Sequence, residues 1–94
     1  MTFSTMEFLE RARVDQATLE IWIEEEWLIP ARHSGPQAPD WNFSEVDVAR
    51  ARLIRDLMDD LGVNAEGVGI VLRLVDQLHG LRAALAEAVA SRVR

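Results

Sequence analysis

The 94-residue chain has no cysteine. That absence excludes disulfides, thiolate catalysis and cysteine-based zinc sites together. It has no lysine either: all ten basic residues are arginine, set against 16 acidic ones, for a net charge of −6. An acidic chain is a poor default partner for nucleic acid, because nonspecific binding rests on neutralising phosphates. No apolar run approaches the roughly 18–20 residues that cross a bilayer. Met1-Thr2-Phe3-Ser4 carries no basic segment of the kind that opens a signal peptide. The expected setting is soluble and cytoplasmic. His33 and His79 have no second ligand at metal spacing, so neither metal nor cofactor is expected. Asp56, Asp59 and Asp60 resemble paired carboxylates, but nothing near them supplies a base or an oxyanion donor. There is no phosphate loop, dinucleotide fingerprint or Ser/His/Asp arrangement, so the chain does not read as an enzyme.

What is present is apolar and helical. Hydrophobic residues make up 49 % of the chain, enough for a packed core. The length fits one domain over residues 1–94. A first helix is expected over residues 4–13, capped by Ser4 or Thr5 with Glu7 or Glu10 behind it, its face Met6, Leu9 and Ala12 with Phe8 alongside. Asp15 is a good cap for a second helix over residues 16–25, where Leu19, Trp22, Ile23 and Glu26 share a mostly apolar face. Two helices this short, two or three residues apart, read as a helix-turn-helix. Trp22 continues the buried stripe, while Ile21 faces outward.

All three prolines (Pro30, Pro36, Pro39) fall between residues 28 and 43, with Ser34, Gly35 and Asp40. They exclude helix and mark turns. Leu28-Ile29 and Trp41-Asn42-Phe43 are expected to pair as a small two-stranded wing, with its tip at residues 33–39 and Trp41 packed on the body. Ser44 and Asp47 then form a capping box for a third helix over residues 45–61. Its stripe reads Val46, Ala49, Leu53, Leu57 and Asp60, widened by Ile54, Met58 and Leu61. Arg50, Arg52 and Arg55 are expected to pair with Asp47, Asp56 and Asp59 along the same helix. Gly62 suits the left-handed residue after a helix.

Asn64 caps a fourth helix over residues 65–93, roughly 43 Å long at about 1.5 Å per residue. Along it Val71, Leu74, Leu78, Leu81, Leu85 and Ala88 are spaced 3, 4, 3, 4 and 3 apart, a heptad seam. Residues 4–62 are too few to cover it, so Leu74, Leu78, Leu81 and Leu85 are expected to form a homodimer contact; the alternative is that the helix folds back onto the first three.

Several words in this order resemble the MerR-type winged-helix domain. Val14-Asp15-Gln16-Ala17-Thr18-Leu19 is similar to the start of that family's second helix. Glu25-Glu26-Trp27-Leu28-Ile29-Pro30-Ala31-Arg32 resembles its E-x-G-L-L-x-P-x-R approach to the wing. Phe43-Ser44-Glu45-Val46-Asp47-Val48 resembles Y-S-x-x-D-[VL], and Arg50-Ala51-Arg52-Leu53-Ile54-Arg55-Asp56-Leu57 resembles R-L-x-x-I-x-x-L. Within that superfamily the chain looks most like the CbpM chaperone modulators. It ends after the fourth helix, carries one extra residue between Asp56 and Gly62, and reads Gly67-Val68-Gly69-Ile70-Val71-Leu72-Arg73-Leu74-Val75-Asp76-Gln77-Leu78 against G-I-x-x-x-L-x-L-[ML]-D-x-[IL].

The resemblance implies a mainly α fold: a MerR-like winged helix-turn-helix with a small two-stranded wing and a long C-terminal helix. It also implies a function, binding the J-domain of a DnaJ-like, CbpA-type co-chaperone and inhibiting its work with DnaK. DNA-binding relatives carry Arg or Lys on the second helix, where the matching positions here are Ala17, Glu20 and Glu24, and Arg32 matches a position that approaches DNA. Five carboxylates lie between Asp15 and Glu26 with no basic residue, which repels a phosphate backbone. A J-domain is implied to present a basic helix. The expected partner-binding residues are therefore Asp15, Glu20, Ile21, Glu24 and Glu25. The alternative is a MerR-type DNA-binding transcriptional regulator.

Overall fold

A computed structural model describes residues 1–32 and 41–92. The tip expected at residues 33–39 lies outside them. Contacts divide the chain into two compact units, Met1–Gly62 and Val63–Arg94.

The first unit opens with β1 (Thr2–Phe3), followed by α1 (Thr5–Ala12) and α2 (Gln16–Glu24). After β2 (Ala31–Arg32) come β3 (Trp41–Ser44) and α3 (Glu45–Arg55), which runs into a π turn at Asp56–Asp60. The helices start where the sequence supplies caps. Ser4 and Glu7 form a capping box on α1, and Ser44 and Asp47 form one on α3. On α3 the Asp47 carboxylate accepts the Ser44 N–H at 2.8 Å. Asp15 caps α2 by accepting the Thr18 N–H at 2.8 Å. Each satisfies donors that a helix end leaves without partners.

The sheet has the order β1-β3-β2, both pairings antiparallel. Two expectations are corrected here. The wing strand is Ala31–Arg32, set against Trp41 and Asn42, rather than Leu28-Ile29. Leu28 is buried in the core and Ile29 is 77 % exposed, so the pair anchors one side chain and does not join the ladder. The sheet also gains a third strand, β1, in which Phe3 pairs with Phe43 and Thr2 with Ser44.

The core forms where α1, α3 and β3 meet. Phe8 and Phe43 are wholly buried and stack at 4.1 Å between ring centroids, 18° from parallel. Such a pair adds about 0.5–1.5 kcal/mol beyond its burial. Leu19 and Trp22 bury the inner face of α2, as their spacing required. Trp41 packs edge-on to Phe43 at 6.5 Å. Two helix faces are rotated from those expected. On α1 the buried residues are Phe8 and Ala12, while Met6 is 81 % exposed. On α3 they are Val48, Ala51 and Ile54, while Val46 and Ala49 are exposed. Leu57 is buried as expected; Met58 and Leu61 are exposed.

The π turn closes with the Leu61 N–H donating to the Asp56 carbonyl at 3.1 Å. An i→i+5 closure holds one residue more than an α turn. Gly62 follows at φ +66°, the left-handed region in which glycine has no penalty.

The second unit is α4 (Ala65–Arg92). Asn64 caps it by accepting the Gly67 N–H at 2.8 Å. A Cβ at Gly67 would sit 2.6 Å from Val63 Cγ1, so the first turn of α4 admits only glycine without rearrangement. Val68 and Leu72 are buried; Leu74, Leu78, Leu81, Leu85 and Val89 are each more than half exposed. No described helix is long and apolar enough to cross a membrane.

Candidate protein-interaction surface

The second helix of the helix-turn-helix presents the candidate surface. Its cap and buried stripe fix which side chains face out. With Leu19 and Trp22 inside, Ala17, Glu20, Ile21 and Glu24 are exposed along one side, at spacings of 3, 4 and 7 residues. Glu20 accepts a hydrogen bond from Gln16 Nε2 at 3.4 Å. Ile21 is 55 % exposed between Glu20 and Glu24, an apolar spot framed by carboxylates.

The helix ends at Glu25, whose N–H donates to the Ile21 carbonyl at 2.9 Å. Glu25 and Glu26 then extend the acidic side. Glu26 has φ +61°. The chain turns back sharply there: the Trp27 and Leu28 N–H groups both donate to the Trp22 carbonyl, at 2.9 and 3.3 Å.

Asp15 stands at the other end of the helix. Its carboxylate is exposed but engaged, and the Thr18 side chain and backbone N–H hold its pKa below the usual carboxylate value. Of the five residues expected to bind a partner, Glu20, Ile21, Glu24 and Glu25 are thus brought together. Asp15 is one helix length away and occupied in capping. Trp27, flanking the acidic run, is buried, and its carbonyl accepts from Arg50 Nε.

The arginines of α3 do more than brace their own helix. Arg55 Nε lies 3.7 Å from Asp59, the expected pairing. Arg55 Nη1 also donates to the Ala12 carbonyl at 3.3 Å, and Arg52 Nη2 to the Arg11 carbonyl at 3.5 Å. Asp47, expected as an arginine partner, closes the capping box. Arg11 in turn lies over the Phe3 ring at 4.2 Å. These contacts bring Arg11, Arg13, Arg52 and Arg55 to one side of the unit. No local pattern announces this grouping, because the four arginines come from two helices and the turn after one of them, which are neighbours only in the folded chain.

His79 is exposed on α4 and His33 lies outside the described residues. Among the described residues no three His, Asp or Glu side chains are grouped to hold a metal ion.

A capped two-helix motif, a strand pairing behind it and a long following helix define a winged helix-turn-helix. The chain belongs to the MerR HTH family of regulatory proteins, whose family model matches residues 3–88. No curated protein matches it significantly.

Proposed function

We propose that the protein is a non-enzymatic chaperone modulator. Its acidic second helix binds the J-domain of a DnaJ-like, CbpA-type co-chaperone and inhibits that co-chaperone's cooperation with DnaK. The observation that carries this reading is the outward side of α2: Glu20, Glu24 and Glu25 exposed around Ile21, with no basic residue from Asp15 to Glu26. A surface of this sign repels a phosphate backbone and steers a basic helix into register. Ile21 supplies the apolar contact at its centre. Inhibition follows by occlusion, since a basic J-domain helix covered by α2 is closed to DnaK. Work beside DnaK places the protein in the cytoplasm. The exposed leucines Leu74, Leu78, Leu81 and Leu85 join two copies through α4.

The test is calorimetric titration with the J-domain from the same genome, at ionic strengths of about 0.01 M and about 0.15 M. Between these the screening length falls from about 30 Å to about 8 Å. Binding should be tight at low salt and weaker at high salt. Absence of binding at tens of micromolar would end this reading. A Glu24→Arg variant that binds as tightly as the unsubstituted protein at low salt would remove the acidic-helix mechanism.

A second reading, a MerR-type DNA-binding transcriptional regulator, is favoured by the family match. A mobility shift of promoter DNA at sub-micromolar protein would establish it against the first.

A further inference from the structure

A furrow with a cationic middle runs along one side of the first unit, four arginines lining it against four carboxylates of which three lie at its ends. Three shallow clefts share their walls in sequence. The first is lined by Phe3, Val48 and Ala49 with Arg11 and Arg52. The second lies among Arg11, Arg13, Arg52 and Arg55, with Asp56 the one carboxylate in its lining. The third passes Arg13 and Arg55 to reach Val14, Trp22 and Met58. Apolar side chains thus lie at both ends and guanidinium groups in the middle.

Three of the four arginines are held in place. Arg11 stacks on Phe3, Arg52 donates to the Arg11 carbonyl, and Arg55 donates to the Ala12 carbonyl beside Asp59. A guanidinium has five donors in a planar fork, so each keeps donors to spare. Such groups suit carboxylate recognition. The other carboxylates facing the furrow lie at its ends: Glu45 at the first cleft, Asp15 and Asp59 at the third. Asp15 is engaged in the α2 cap and Asp59 with Arg55.

Two disfavoured backbone geometries border the same furrow. Arg13 has φ +57°, and the π turn supplies Asp56, Met58 and Asp59. Strained left-handed residues and π turns concentrate at binding sites.

We propose that this furrow binds an extended acidic peptide segment of a partner protein. Its carboxylates lie on Arg11, Arg13, Arg52 and Arg55, and its flanking apolar side chains rest on Val48–Ala49 at one end and Val14–Met58 at the other. From Glu45 to Asp59 the helical rise is roughly 20 Å at about 1.5 Å per residue. An extended peptide covers that in about six residues at about 3.3 Å each. Nucleic acid fits less well, because a phosphate backbone has nothing for the apolar ends. The proposal stands apart from the chaperone reading, because α2 would take a cationic surface and the furrow an anionic one; either can fail alone.

The experiment is selection of random heptapeptides displayed on phage against the full chain, followed by fluorescence anisotropy of the best labelled peptide. Selected sequences should carry two or more central Asp or Glu residues with aliphatic flanks. Amide shifts in NMR titration should map to residues 11–14 and 52–60. Arg52→Gln should weaken binding about tenfold or more, the usual scale for a charged hydrogen bond. Arg13→Gly keeps the proposal testable if Arg52→Gln unfolds: it should raise the melting temperature by relaxing the backbone and yet weaken the peptide severalfold. Selected peptides without carboxylates, shifts mapping to residues 20–25, or affinity indifferent to both variants overturn the proposal. Competition by a 12-base-pair duplex would reassign the furrow to nucleic acid. Displacement of the peptide by self-association in sedimentation would assign it to the acidic segment of a second copy.

Discussion

Glu26 holds a backbone conformation that costs an L-residue about 1 kcal/mol or more relative to glycine. Its φ of +61° is forced by the turn that aims the Trp27 and Leu28 N–H groups at one carbonyl. Here a carboxylate on the acidic side replaces the residue that the backbone favours. Glu26→Gly should therefore raise stability by about 0.5 kcal/mol, once the greater freedom of glycine in the unfolded chain is subtracted. A thermal melt should show a rise of about 2–4 °C. Two other carboxyls tie stability to pH. The Ser4 N–H and hydroxyl hold Glu7 below its usual value, and Thr18 does the same for Asp15. A lowered folded value means the stabilisation is present at neutral pH, above the unfolded value. It is lost as pH falls through the folded one. Urea titrations through the acid range should show a stability decline that is shallower in a Glu7→Gln/Asp15→Asn variant, which keeps the cap oxygens but cannot ionise there.

Ser44 belongs to two elements, as the last residue of β3 and the cap of α3. Ser44→Ala should cost about 1 kcal/mol, within the usual range for a lost cap. It should lower the urea midpoint with the slope unchanged. Caps were legible in the sequence because they are local: Ser4, Asp15, Ser44 and Asn64 each act on a backbone N–H three residues on. The outward side of α2 was legible for the same reason, since one cap and the Leu19–Trp22 stripe fix its rotation. The face of α3 was not. The helix carries two apolar stripes, one through Val46 and Ala49 and one through Val48 and Ala51, and only packing against α1 and β3 selects between them. Nor was β1, because two residues have no period to read. The arginine furrow needs the end of α1 to lie against α3, which no local pattern states.

At the scale of the molecule the two units carry different surfaces. Met1–Gly62 has its own aromatic core and an acidic helix, whereas α4 shows a line of leucines from Leu74 to Leu85, each more than half exposed. A lone helix in water is marginal without tertiary packing, and a heptad seam is completed by another helix. Sedimentation should accordingly show a concentration-dependent dimer. A Leu78→Glu/Leu81→Glu variant should be monomeric and lose helical circular dichroism from α4. A monomer at all concentrations in the unsubstituted protein would show that the seam does not join two copies.

The pairing of Phe3 with Phe43 has a consequence in time. It closes a loop of about forty residues, and closing a loop costs entropy before the contact returns anything. The turn of α1 into α2 and the cap of α3 involve near neighbours and can form early. The strand at the start of the chain must wait until β3 has been laid down. Contacts made after the barrier mainly slow unfolding. Phe3, held between β3 and the Arg11 guanidinium, is then expected to act as a latch: Phe3→Ala should speed unfolding more than it slows refolding in stopped-flow kinetics.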